Sequence, residues 1–506
     1  MKREWFKIKL YPHIGLPLTW NDKKRVCSYI KNKDYIAKHS FLPFIRKELI
    51  SKKLRKEYDN LGNLLNNGKR KMFDPKVRPI LYSSHLDSNI FAYYAHLLGK
   101  KYDVILKNKG LDEVVTAYRS VPVDKSKEAG RYKCNIDFAN DVFNFIRQNI
   151  KSDIVAITFD IKDFFNSLDH RKLKNSWAYV LGMEDLPEDH YNVYRNITKY
   201  SFVEEKDLFK LFQSRIIVET RSGQRRKKVV KKLRYMKDQG AIAFCEKNDI
   251  HEIRRKGLIR VNKYTDDKQL RNYGICQGSS ISSVLANIYM IEFDDYFQKE
   301  VTKVKGLYRR YSDDMVVVCG LKSKDYFVSE MEKQINILSK LEIQNNKTQI
   351  IHFKIKNKKP ICLQEFDGNI NHNSDKRNFE YLGFCFNGET ASLKTSSISK
   401  YYRKMKSSVK RSKYYSKVIN NASRGQIFKR RLFKQYSYIG SHRSKKYERK
   451  KGTTDEWRIT KKYNWGNFIT YAKLAAKTLN NNIVKSQIKN LWKNLNNEIN
   501  KPAGNK

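Results

Sequence analysis

Apolar positions along the chain switch between two spacings, and the switches mark its elements. Phe138, Val142, Phe143, Phe145 and Ile146 recur at helical spacing over about 135–150. Ile154-Val155-Ala156-Ile157-Thr158-Phe159-Asp160-Ile161 then reads as a buried strand ending in an acid. Ile281, Leu285 and Ile288, with Val284 and Ile291 beside them, make a helix face behind a Gly-Ser loop whose serines are natural N-caps. Tyr308 to Tyr311 predicts a short strand, Ser312-Asp313-Asp314 a tight turn, and Met315 to Cys319 a continuous apolar strand. Helices are predicted over Asn89–Leu98, Phe327–Leu341, Trp465–Leu479 and Asn480–Ile499. The last carries Val484, Ile488, Leu491, Trp492, Leu495 and Ile499 as a core or oligomer stripe. Lys76 to Leu81 reads as a basic extended strand, since the residue before Pro79 is pushed out of helical space. Phe379 to Phe386 runs into Asn387-Gly388, a strong hairpin signal.

Other stretches are less regular. Residues 1–60 read as mixed helix and loop, with Ile36–Phe44 as apolar anchoring beside a basic, phosphate-facing helix around 46–55. Residues 171–270 contain a very basic run from Arg221 to Lys237, expected as a solvated hairpin or loop, or as a groove that tracks a nucleic-acid backbone. Ser441 to Thr454 reads as a polar loop or linker. His39 and His85 are left unassigned, a lone histidine being more often structural.

Charge sharpens the picture. The 506 residues hold 104 Lys+Arg against 52 Asp+Glu, a formal +52. Self-repulsion on that scale points to a polyanionic partner, namely nucleic acid. Aromatics at 13% argue against a disordered basic tail and supply surfaces for base stacking. Seven scattered cysteines without a C-x-x-C pair fit a reducing compartment and no structural zinc. No apolar run approaches the ~20 residues of a membrane span, and no signal-peptide pattern opens the chain. A cytoplasmic location and no membrane partner are expected.

Two adjacent carboxylates, Asp313 and Asp314, read either as an ordinary solvated surface turn or, because they repel one another and call for compensation, as ligands of a divalent cation. Asp160, where a buried strand ends, suits a metal ligand or a helix N-cap. Arg78 offers a planar fork and Lys76 a point charge to a triphosphate, unless both merely guard an exposed strand edge.

Taken in order, these segments resemble the motifs of reverse transcriptases over roughly residues 70–400. Phe159-Asp160-Ile161-Lys162-Asp163-Phe164-Phe165 is similar to the first catalytic motif and Gln277-Gly278-Ser279-Ser280-Ile281-Ser282 to the second. Tyr311-Ser312-Asp313-Asp314 is similar to the third, Asn346-Lys347-Thr348 to the fourth, and Tyr381-Leu382-Gly383 to the primer-grip hairpin. Arg78-Pro79-Ile80 and Ala117-Tyr118-Arg119 stand for the fingers motifs. The resemblance implies an α+β right-hand polymerase with an antiparallel palm sheet. Its parts would be an N-terminal extension and fingers (1–134), a palm (135–400, with a basic insertion at about 200–270) and a helical C-terminal thumb (401–506).

It also implies the roles. Asp160 and Asp313 would bridge two Mg²⁺ ions, with Asp314 in support and the Ile161 carbonyl as a further ligand. Phe165 would select deoxynucleotides, Gln277 and Gly278 would line the nucleotide pocket, and Arg78 and Lys76 would hold the triphosphate. Lys347 would protonate pyrophosphate. Ser280 and Ser283 where the family has prolines, Ser312 in the third motif, and no nuclease or integrase sequence after the primer grip resemble the bacterial antiphage, abortive-infection enzymes, nearest the type-nine defence-associated kind. That implies a non-coding RNA as template or scaffold, a cDNA product made from dNTPs, and a homo-oligomer, a hexamer being one option. Template-independent or protein-primed DNA synthesis, RNA-templated RNA synthesis, and a non-catalytic RNA-binding scaffold are the alternatives.

Overall fold

The computed structural model describes residues 5–59, 63–124, 126, 131–220, 222–262, 269–366, 368–370, 378–418, 424–449, 456–464 and 466–502. These form two compact units. The first comprises the described residues up to Asp59, Leu64–Arg119 and Ile157–Gln349; the second comprises Asn63, Ser120–Ala156 and the chain from Ile350 onward.

In the first unit, Phe44–Lys56 and Arg70–Tyr82 form a long antiparallel ribbon in register from Ile45 opposite Tyr82 to Lys56 opposite Arg70. The stretch 46–55 is therefore strand and not the expected helix; the helix stops at Ala37. Arg70–Tyr82 is an edge strand, which is why Pro79, lacking an N–H, is tolerated inside it. Phe44–Lys56 pairs on its other side, in parallel, with Ser201–Glu204, which in turn pairs with Arg260–Val261. A second sheet runs His13–Ile14, Ala241–Cys245, Ile216–Glu219, Arg225–Lys228. Between these strands lies a core that includes Ile45, Val203, Phe212, Ile216, Val218 and Phe244. Within the segment 200–270, Ser201–Glu204, Ile216–Glu219 and Ala241–Cys245 share sheets and core with the N-terminal strands, while Arg225–Lys228 is the exposed outer strand of a hairpin, as expected for the basic run. Arg221 and residues 263–268 lie outside the described residues.

The helix predicted from Asn89 to Leu98 extends from His85 to Asn108, capped by the Ser84 side chain accepting from the Asp87 amide. His39 is structural: it bonds Asp87 at 2.9 Å and the Tyr29 hydroxyl at 2.8 Å. The strand Ile154–Asp160 lies beside Asp314–Gly320, which pairs antiparallel with Leu307–Tyr311.

In the second unit, Gln349–Lys356 pairs antiparallel with Lys359–Phe366. Phe379–Tyr381, Phe384–Phe386 and Ala391–Leu393 form a three-stranded meander whose second turn holds Asn387 and Gly388. Phe386 stacks on Phe143 of the helix Asn135–Asn149, ring centroids 4.5 Å apart. A long helix, Thr395–Val418, opens the C-terminal part. The single helix expected from Asn480 to Ile499 is two, Asn482–Ile488 and Leu491–Asn500. Its apolar stripe is core: Leu495 and Ile499 pack with Met405, Val409 and Leu432. The linker expected at 441–454 holds a strand instead, Ser444–Arg449, paired with Trp457–Asn464. Residues 450–454 lie outside the described residues. Among the described residues, no helix is long and apolar enough to cross a membrane.

Candidate active site

The site in the first unit begins with a two-residue turn. Tyr311 stands opposite Asp314, so Ser312 and Asp313 alone reverse the chain, with Ser312 at φ +63°. The turn is held from beneath by a fully buried ion pair. Arg310 Nε donates to Asp294 Oδ1 at 2.8 Å and its Nη2 to Asp294 Oδ2 at 2.5 Å. The third guanidinium nitrogen, Nη1, reaches both Asn287 Oδ1 and the Ser312 carbonyl at 3.2 Å. The Tyr308 hydroxyl donates to Asp294 at 3.0 Å. Burial alone would lower the Arg310 pKa, but the Asp294 carboxylate outweighs it and holds the guanidinium above its ordinary range. Burial, reinforced by the Asp294 charge, pushes the Tyr308 phenol well above its ordinary value.

The segment before Tyr118 lies parallel to this hairpin. The Arg310 amide donates to the Val114 carbonyl at 2.9 Å, and the Thr116 amide to the Arg310 carbonyl at 3.0 Å. Tyr118, at φ +63° and half exposed, brings its hydroxyl within 3.3 Å of Ser312 Oγ. Arg119 points elsewhere, forked onto Asp103 and Asp112, and is a structural cation.

Asp160 comes to the turn through the backbone. The amide of Ile161 donates to the carbonyl of Asp313 at 3.2 Å, so two acids 153 residues apart (313 − 160) lie at adjoining strand ends. The carbonyl of Asp160 accepts from Gln344 at 2.8 Å, which docks the loop carrying Lys347. Lys347 Nζ sits 2.6 Å from Asp160 Oδ1. Asp160 therefore caps no helix with its carboxylate; the short helix Phe164–Ser167 follows Asp163, at φ +45°. Asp314 is exposed at the start of the outgoing strand.

Phe165 is half-buried, and its carbonyl accepts from the Ile275 amide at 2.8 Å. The Leu168 carbonyl accepts from Gly274, also at 2.8 Å. These bonds bind the first acid's loop to the Gln277-Gly278 loop. That loop also reaches the ribbon: the Leu81 amide donates to the Gln277 carbonyl at 2.8 Å. Gly278 has φ +123°, and a Cβ there would lie 2.5 Å from the Leu81 carbonyl oxygen. The loop serines do not cap the next helix. Ser282 Oγ donates to the Cys276 carbonyl at 2.6 Å, and the helix Ser282–Tyr289 has no side-chain cap bond. Arg78 and Lys76 are exposed on one face of the ribbon, two and four residues before Ile80, which packs at Gly278.

The donors here are hard oxygens. Among the described residues, no cluster of three or more His, Cys, Asp or Glu side chains is arranged to hold a metal ion. A pair of carboxylates with a backbone carbonyl suits Mg²⁺, which is commonly bound through one or two carboxylates and completed by waters and substrate phosphates.

In the second unit, Tyr381 stands opposite Phe384 across the turn Leu382-Gly383, at φ +45° and +93°. Tyr381 is buried, with its ring stacked on Phe379. Arg310, Asp294 and Asn287 are the residues that sequence reasoning missed.

Residues 237–386 match the reverse transcriptase (RNA-dependent DNA polymerase) family. The chain carries a reverse transcriptase domain. Its fold class is that of the right-hand polymerases, α+β, with Asp313 and Asp314 where two antiparallel strands meet. The matched span contains Gln277, Gly278, Asp313, Asp314, Lys347 and Tyr381–Gly383, whereas Asp160 lies upstream of it and joins the reverse transcriptase residues by backbone geometry. No curated protein sequence matches the chain. Among solved structures it is similar to apo telomerase from Candida tropicalis (12% identity, 97% of this chain and 67% of that one, TM-score 0.37). A second is telomerase from Candida albicans in complex with a fragment of telomeric RNA (12%, 96% and 64%, TM-score 0.35). A C-terminally truncated apo telomerase from Candida tropicalis is matched over 74% of this chain and 61% of that one (TM-score 0.34). The chain thus spans about three-fifths to two-thirds of the length of these structures.

Proposed function

We propose that this protein is an RNA-directed DNA polymerase that copies a partner non-coding RNA into cDNA in bacterial antiphage defence. The observation that carries the polymerase reading is the bond from Ile161 to Asp313, which sets Asp160 and Asp313 side by side with Lys347 on Asp160. Asp160, Asp313 and the Ile161 carbonyl would hold Mg²⁺, with Asp314 in support. When bound, a pair of such ions activates the primer 3′-hydroxyl and stabilises the leaving pyrophosphate.

The chain's own residues do the rest. Phe165 leaves no room for a 2′-hydroxyl at the incoming sugar. Gln277 and Gly278 form the pocket wall at the ribbon, whose Arg78 and Lys76 hold the triphosphate. Lys347 gives its proton to pyrophosphate as the P–O bond breaks, a role supported by its closeness to the first acid. Tyr381, Leu382 and Gly383 support the primer end. The defence role and a homo-oligomeric form rest on the resemblance carried by the serines of the second and third motifs; the +52 charge supports the RNA partner, and the scattered cysteines support a cytoplasmic location.

Primer extension on an RNA template tests the reading. Asp160→Asn, or Asp313→Asn with Asp314→Asn, abolishes dNTP incorporation and leaves RNA affinity largely intact. Undiminished synthesis by either variant overturns it. Sequencing the RNA and DNA that co-purify with the chain identifies template, product and primer.

A further inference from the structure

Between residues 222 and 237 the chain has eight Lys/Arg and no Asp/Glu. The fold turns this run into a rigid edge. Arg225–Lys228 is the outermost strand of its sheet, pairing with Ile216–Glu219 from Ile216 opposite Lys228 to Glu219 opposite Arg225. All four of its residues are exposed, so both faces of the strand carry charge, with Lys227 3.7 Å from the Glu246 carboxylate. Just beyond, Val230 is fully buried, and its amide donates to the Gln213 carbonyl at 2.8 Å. Met236 is buried in the same core as Val218. The cations are therefore mounted on a core-anchored platform, with side chains on each face repeating every ~6.6–6.8 Å. Guarding a strand edge against self-pairing needs one or two charges, not an acid-free run of this density.

We propose that this edge is a binding surface for base-paired RNA, separate from the strands that carry the acids, and that it grips the phosphodiester backbone without reading sequence. Charge complementarity selects a polyanion, and base pairing brings two charged strands to the edge at once. Base-stacking single strands would need a row of aromatics. The run has one, Tyr235, and the Arg234 guanidinium already lies 5.0 Å from its ring centroid. The surface does not depend on the polymerase reading, because it binds whether or not the acids catalyse.

The test uses the full chain and a fluorescein-labelled RNA duplex, with anisotropy followed over a NaCl series. Four fewer phosphate contacts in R225Q/R226Q/K227Q/K228Q make the slope of log K against log[salt] shallower by about 3. R225K/R226K retains the slope, and extension of a short primer–template by the quadruple variant is unchanged. K231Q/K232Q, on the same platform, gives a smaller decrease of the same sign. Unchanged duplex affinity and slope in the quadruple variant, at an unchanged melting temperature, overturn the proposal. So does a loss seen only with phosphatidylserine vesicles, or one as large for an unpaired strand as for the duplex.

Discussion

Arg310 and Asp294 form a doubly hydrogen-bonded ion pair in which neither side chain is accessible to solvent. The same guanidinium holds the carbonyl of Ser312, one residue before Asp313. Removing one partner strands the other charge in the core, at a cost of about 3–5 kcal/mol. Asp294→Ala is expected to lower stability by that amount in urea unfolding, and to lower DNA synthesis with it. Asp294→Leu combined with Arg310→Met is expected to regain most of the stability, since well-packed apolar groups replace buried pairs at little cost. Synthesis by the double variant should stay low because the turn has lost its anchor. Recovery of stability and synthesis together would show that the pair does not position the turn.

Lys347 Nζ lies 2.6 Å from Asp160 Oδ1, so under the proposed function it would compete with a divalent cation for that carboxylate. Lys347→Met therefore has two opposite effects. Single-turnover nucleotide addition should slow by about 10²–10⁴-fold, the usual worth of a general acid. Direct binding of Mn²⁺, followed by electron paramagnetic resonance, should tighten, because an ammonium no longer repels the ion. Lys347→Arg should restore the weaker metal binding but little of the rate, an arginine being a poor proton donor at neutral pH. A slower rate with unchanged Mn²⁺ affinity would remove the competition from this account.

The acids were legible because each ends or opens a buried apolar run, and such runs need little long-range context. Their supporting pair was hidden in plain charge. Arg310 sits in Tyr308-Arg309-Arg310-Tyr311, which reads as exposed, yet it shares the strand phase of buried Tyr308 while Arg309 faces Glu113. Asp294 likewise falls on the helix stripe of Phe297 and Val301, a polar residue at a core position. Those two phases together were the available signal. The segment 201–261 was illegible for another reason: Phe44 pairs with Phe202 across 158 residues (202 − 44), and no local period reports a partner that distant. The ribbon Ser444–Arg449 with Trp457–Asn464 escaped because apolar residues such as Tyr447, Trp457 and Ile459 are exposed beside its cations, erasing the alternation of a half-buried strand.

Gly278 is where the Gln277-Gly278 loop meets the ribbon. Its φ of +123° and the 2.5 Å from a built Cβ to the Leu81 carbonyl leave no side chain a place without moving backbone. Gly278→Ala is expected to cost about 1–3 kcal/mol and to displace Gln277, whose carbonyl holds the Leu81 amide. The apparent KM for dNTP should rise more than the melting temperature falls would account for. An alanine variant with wild-type KM would mean that the loop's approach to Leu81 does not shape the nucleotide pocket.

His13 and His85 are expected to make the first unit acid-sensitive. Burial pushes both imidazoles down from 6.5 to about 4. Their rings lie 6.5 Å apart, and the neighbouring charge lowers His85 further. The sign follows from proton counting. Above pH 6.5 both states are neutral and stability is full; between 6.5 and about 4 the unfolded chain binds protons that the folded chain refuses, so stability falls with pH; below about 4 the loss levels off. For fully buried His13 the loss is on the order of 3 kcal/mol. His85 lies stacked on the Tyr11 ring, 5.1 Å between centroids and 19° apart, with no side-chain hydrogen-bond partner among the described residues. Phenylalanine fits that stack and cannot be protonated. His85→Phe is therefore expected to leave stability at pH 7.5 unchanged or higher and to flatten about half of the decline between pH 6.5 and 4, read by urea unfolding across that range. A variant as acid-sensitive as the parent would place the titrating groups elsewhere.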